Sequence, residues 1–156
     1  MKTIKVMMAF ALAAVLTASC SGNEDEITKP VISDKNIVAN PVDCQEYARG
    51  TVIHVQFAFH DDVELGSYNI EIHNNFNHHT HGTSATDCTL DDAKMPVKAW
   101  VFNQDYPIPA GRQDFVIRQD IKIPADIDPG DYHFMIRLTN KAGWQELKGI
   151  SIKITE

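Results

Sequence analysis

Four histidines, His73, His78, His79 and His81, fall within nine positions of a 156-residue chain. Neutral imidazole is a good ligand for Zn²⁺ and Cu²⁺, with bonds of about 2.0–2.1 Å. The spacing His79-Thr80-His81 points both rings to one side of an extended segment. A solvated polar loop tolerates such a tract equally well, so the tract alone settles nothing. The other three histidines, His54, His60 and His133, stand apart from it. Three cysteines complete the reactive set. Cys20 follows the small residues Thr17-Ala18-Ser19, and Cys44 and Cys88 remain as a pair. That pair reads as a disulfide, two free thiols or part of a metal site, and in an oxidising compartment the disulfide is the expectation. Closing a loop of that length would stabilise by roughly 3–4 kcal/mol and pin the region around Cys88 to the domain body.

Other chemistry is thin. No nucleophile elbow, phosphate loop, dinucleotide fingerprint or HExxH is present, and no nucleophile–base–orienter set can be named. The expectation is therefore a non-enzymatic protein. Fourteen Lys and Arg against 21 Asp and Glu give a formal net charge of −7. Such a chain lacks the clustered cations that bind phosphate backbones, which argues against nucleic acid. Asp61-Asp62 with Glu64 is an acidic loop without Ca²⁺-loop spacing, so a solvated turn is favoured. Trp100, Tyr106 and Trp144 are candidates for a sugar-binding platform, or simply core and edge fillers.

The elements that must position these groups begin after a targeting segment. Lys2 and Lys5 precede the apolar run Val6 to Leu16, too short to span a bilayer core of about 30 Å. Residues 1–19 read as a lipoprotein signal and Cys20 as the lipidated residue, carrying acyl chains such as palmitate. Removing the signal takes away Lys2 and Lys5 and moves the formal charge of −7 to −9. Residues 20–28 read as an acidic tether. Glu24-Asp25-Glu26 resembles the surface-export tag of Bacteroidetes-type lipoproteins. The expected location is the outer membrane, lipid-anchored, on the cell surface or facing the periplasm, with the membrane touched only through the anchor.

Residues 29–156 show period-2 alternation in short runs separated by turn residues. Ile53, Val55, Phe57 and Phe59 alternate with polar residues. So do Tyr68, Ile70 and Ile72, and later Tyr132, Phe134, Ile136 and Leu138. Phe115, Ile117, Ile121 and Ile123 share a parity, as do Ile150, Ile152 and Ile154. Val31-Ile32 with Ile37-Val38 supplies a first strand, and Trp100-Val101-Phe102 a further one. The expected fold is all-β, an immunoglobulin-like antiparallel β-sandwich of about seven strands. Asp128-Pro129-Gly130-Asp131 is a tight turn, and Tyr132 is placed to form a tyrosine corner. About two dozen residues, Asn74 to Val97, carry no strand pattern and form a long His- and Cys-containing insertion.

Lys29-Pro30-Val31-Ile32, the segment IPADIDPGDYHF and the closing LTNKAGW turn resemble the Bacteroidetes lipoprotein family carrying domain of unknown function 4625. The resemblance runs from Lys29 to Glu156. It implies an immunoglobulin-like sandwich on a lipid anchor and no known activity.

Sandwich geometry then sharpens the metal reading. With Ser67 to His73 as the third strand and Tyr132 to Leu138 as the sixth, the two are antiparallel neighbours. His73 ends one beside His133 at the start of the other, and both share the outward parity. They are expected to form a pair that His79 or His81 joins as a third ligand for Zn²⁺ or Cu²⁺. His54 and His60, in the opposite sheet, are expected to be uninvolved. Two functions follow as expectations: a binding or adhesion module for an extracellular protein or glycan, and a transition-metal binding or delivery protein.

Overall fold

The computed structural model describes residues 28–80 and 88–156. The signal 1–19, Cys20, residues 21–27 of the tether and His81 lie outside the described residues. Among the described residues there is no helix long and apolar enough to cross a membrane.

Eight strands are present: β1 Val31–Ser33, β2 Gln45–Ala48, β3 Val52–His60, β4 Leu65–Asn74, β5 Phe102–Pro107, β6 Asp114–Lys122, β7 Gly130–Asn140 and β8 Gln145–Thr155. They form a three-stranded sheet, β1-β3-β6, and a five-stranded sheet, β2-β8-β7-β4-β5. Each alternating run turns its apolar face to the space between the sheets. Ile53, Val55, Phe57 and Phe59 of β3 and Ile117 and Ile121 of β6 are buried from one side. Ile70 and Ile72, Phe134, Ile136 and Leu138, and Ile150, Ile152 and Ile154 are buried from the other. Each such side chain contributes about 1.5–3 kcal/mol through area removed from water, and together they define a sandwich core.

Three details depart from the sequence reading. Ile37 and Val38 are not in strand; Val38 is 83% exposed, since a turn follows Ser33. The strand expected at Trp100 begins only at Phe102. β2 was not foreseen, because four residues with no alternation carry no signal; it pairs with β8 in parallel, so the five-stranded sheet is mixed. In β4 the register shifts between Leu65 and Ser67, which lets Leu65 and Tyr68 both reach the core despite their opposite parity. Gly66 sits at that irregularity, and a Cβ there would meet the Thr139 carbonyl at 2.9 Å.

The tyrosine corner is present. The Tyr132 hydroxyl donates to the Asp128 carbonyl at 2.7 Å and accepts from the Trp100 amide at 3.2 Å. Burial pushes its phenol pKa upward. The β7–β8 turn is tied by Asn140, whose Oδ1 accepts from the Trp144 amide at 2.8 Å. Cys44 and Cys88 form a disulfide, with an S–S distance of 2.01 Å and Cα atoms 5.3 Å apart. It fastens the insertion beside β8.

Candidate metal centre

β4 and β7 are antiparallel, and His73 stands directly opposite His133. The alternation dictates this: Ile72 and Phe134 point inward, so their neighbours point outward. The expected pair is therefore formed, with ring centres 5.5 Å apart. It is not the solvated pair that an outward face would give. His133 is only 8% exposed.

The cover comes from the root of the insertion. The Asn75 amide donates to the Asp131 carbonyl at 2.8 Å and turns the chain back over the sheet end. Phe76, 2% exposed, packs edge-on against Tyr132 at 5.3 Å. The Lys94 amide donates to the Phe76 carbonyl, and its ammonium lies 4.6 Å from the Phe76 ring centre. His78 closes a turn onto Asn75, with φ at 62° for Asn36 elsewhere and 57° here. His79 is thereby set above the pair. Its ring centre is 5.5 Å from that of His73 and 5.1 Å from that of His133.

Three imidazoles thus stand in a triangle with sides of 5.1 to 5.5 Å. Bonds of about 2.0–2.1 Å to one Zn²⁺ put each ring centre about 3 Å from the ion and, at tetrahedral angles, ring centres about 5 Å apart. The spacing matches. As placed, however, no group of three or more His, Cys, Asp or Glu among the described residues encloses an ion position. The ring centres fit the spacing, while the ring nitrogens as placed do not form a closed ligand set.

One nitrogen of each ring has a neighbour suited to orient it. His73 Nδ1 is 3.0 Å from a Glu71 carboxylate oxygen. His79 Nδ1 is 2.6 Å from Asn77 Oδ1, and His133 Nε2 is 3.2 Å from the His79 carbonyl. Such contacts fix tautomer and orientation in metal-binding histidines. The hydrogen bonds leave His79 Nε2 and His133 Nδ1 as candidate ligands; the Glu71 contact on His73 has an ion-pair distance but not hydrogen-bond geometry, and does not fix which His73 nitrogen would ligate. Glu71 and Asn77 escaped the sequence reading. For Glu71 the signal is the two-residue offset to His73, which keeps both on one side of the strand; Asn77 reaches His79 across a turn and carries no such signal. A cleft of about 350 Å³ adjoins His73 and His79 and is also lined by Lys94, Met95 and Pro96.

The remaining candidates are placed elsewhere. His54 and His60 lie on the outer face of the other sheet, each against a carboxylate: His54 Nδ1 is 2.7 Å from Asp120 and His60 Nδ1 is 2.9 Å from Asp114. The hydrogen bond to Asp114, helped by Asp62, raises the His60 pKa. Asp61 is buried and accepts from the amides of Val63 and Glu64 at 2.9 Å each and from Asn140, so it caps the acidic loop. The aromatic platform is not assembled. Trp100 is buried, Tyr106 stacks on Tyr68 with ring centres 4.9 Å apart, and Trp144 stands apart at 40% exposure.

The fold is an eight-stranded, immunoglobulin-like β-sandwich with a disulfide-pinned insertion laid over a histidine pair. The chain belongs to the family defined by a domain of unknown function, DUF4625, whose model matches residues 18–155. No curated protein matches the sequence. Among solved structures, the sporulation control protein Spo0M from Bacillus subtilis aligns with a TM-score of 0.43 and 9% identity. That alignment covers 83% of this chain and 51% of Spo0M, so the chain spans about half the length of that protein, and the likeness carries no argument.

Proposed function

We propose that this chain is a non-enzymatic binding module, of the Bacteroidetes lipoprotein kind, that captures Zn²⁺ or Cu²⁺ at the corner formed by His73, His79 and His133. The observation that supports this is the triangle of imidazole rings at the spacing an ion requires. Two of the three ligands sit on paired strands and give rigidity; the third arrives on the insertion and gives an adjustable closure. His81, on the same tract, is the further candidate and lies outside the described residues. A three-imidazole site leaves one position for water or for a side chain of an extracellular protein, which suits capture and delivery better than permanent structural closure. A protein partner is favoured over a glycan because Trp100 is buried and Tyr106 is stacked within the molecule. The signal layout and Cys20 support a lipid anchor in the outer membrane, on the cell surface.

Titration calorimetry of the full chain in detergent micelles with Zn²⁺ and Cu²⁺ tests the reading. Binding should be tighter than about 100 μM near neutral pH and should weaken as pH falls below about 6.5, because ligation needs neutral imidazole. His133→Ala and the more exposed His73→Ala should each weaken it at least about tenfold, while His54→Ala should leave it unchanged. No binding, or equal losses in all three variants, would refute the site.

A further inference from the structure

The histidine corner borders a soft side chain. Met135 lies two residues past His133 on β7, and strand alternation puts the two on the same outer face. On the β4 side Met135 stands opposite Glu71, so His73, opposite His133, is its diagonal neighbour. On the β8 side it stands opposite Gly149, which has no side chain to fill the space.

Met135 does not belong to the core between the sheets. Phe134, Ile136 and Leu138, which alternate with it, form part of that core. Even so, Met135 is only 6% exposed, close to the 8% of His133. Arg137, the next outward residue of β7, is exposed. Burial on this face of β7 therefore centres on its histidine end, and an unbranched thioether is enclosed there with His133. A thioether adapts through three rotatable bonds, and diagonal neighbours on a sheet face are within reach of a side chain of that length. Its sulfur is a soft donor that favours Cu(I) beside imidazole nitrogen.

Charge points to the same ion. The cost of burying an ion grows as the square of its charge, so at a corner this covered a monovalent ion costs about a quarter of a divalent one. Lys94 lines the cleft that His73 and His79 also line, and its ammonium is held there by the Pro129 carbonyl at 2.6 Å. It repels a divalent ion about twice as strongly as a monovalent one.

We propose that the histidine corner takes copper in its monovalent state, with the Met135 sulfur ligating beside the imidazoles. The inference rests on the corner proposed above and names the ion it serves. Zn²⁺ can use the imidazoles alone, so the thioether is what separates the two ions.

The test is an anaerobic titration of the full chain in micelles with Cu(I), supplied as its bicinchoninate complex, and separately with Zn²⁺. The chain should withdraw Cu(I) from the chelator, and X-ray absorption of the Cu(I)-loaded chain should show sulfur beside imidazole nitrogen. Met135→Leu keeps the size and apolar character of the side chain and removes only the donor. It should weaken Cu(I) binding at least about tenfold and abolish the sulfur shell. Zn²⁺ binding should be unchanged in that variant, which also shows that the variant is folded. Zn²⁺ binding without Cu(I) binding, a Cu(I) site without sulfur, undiminished Cu(I) binding in Met135→Leu, or an equal loss of both ions in that variant would overturn this inference and leave the imidazole corner standing. Binding of neither ion by the unsubstituted chain would overturn both.

Discussion

The two sheets carry histidines at matching strand positions, and they differ in what stands across the ladder. On the three-stranded sheet, His54 faces Asp120 and His60 faces Asp114. On the five-stranded sheet, His73 faces His133. Cross-strand geometry is the same in both cases. An imidazole and a carboxylate satisfy each other, and the outcome is an exposed ion pair with side chains 49 to 83% exposed. Two imidazoles offer an ion two ligands. The insertion enlarges the difference, because it leaves the first face open and lays His79 over the second. Histidine content alone therefore says little; the residue opposite and the cover above decide what the ring does.

The largest effect that would break this comparison is loss of the cover. Replacing Cys44 and Cys88 together by Ala should cost roughly 3–4 kcal/mol of stability. Thermal unfolding measured with and without reductant checks this, and an unchanged midpoint would mean that packing of Phe76 holds the insertion without help. The same variant should bind metal more weakly, since His79 would no longer be held over the sheet.

Next in size is the framework under the pair. Tyr132→Phe removes a hydroxyl that donates to Asp128 and accepts from Trp100. It should cost about 1–2 kcal/mol by urea unfolding, with the fold retained. A neutral result would show that the corner is closed by the turn itself.

The smallest effect belongs to the open face. The His60 pKa is raised, first by its hydrogen bond to Asp114. A raised folded-state pKa contributes stability below the unfolded value of about 6.5 that is lost as pH rises through the folded value. His60→Ala should therefore lose less than about 1 kcal/mol at acidic pH and nothing at alkaline pH, after solvent screening. A loss that grows with pH would reverse the sign and show that the charged pair is not what acts there.

The sequence was legible where burial enforces alternation. β3, β4 and β7 were readable because one face of each is apolar at every second residue, and the His73–His133 pairing followed from that parity. The tyrosine corner was readable because Pro129 and Gly130 fix the turn before Tyr132. β2 was not readable, since its four residues are held by pairing with β8 and not by an apolar face. The cover over His133 was not readable either. It depends on Phe76 reaching Tyr132 and on Asn75 bonding to Asp131, contacts between a patternless segment and a distant turn. The disulfide expected for Cys44 and Cys88, ahead of free thiols or a shared metal site, is present.

X-ray absorption of the Zn²⁺-loaded full chain tests the central claim most directly. The account predicts about three imidazole nitrogens at about 2.0–2.1 Å, with the outer-shell scattering of the rings. That signal should fall by one imidazole in His133→Ala and stay unchanged in His54→Ala. A shell of oxygen alone, or one that changes with His54 instead of His133, would contradict it.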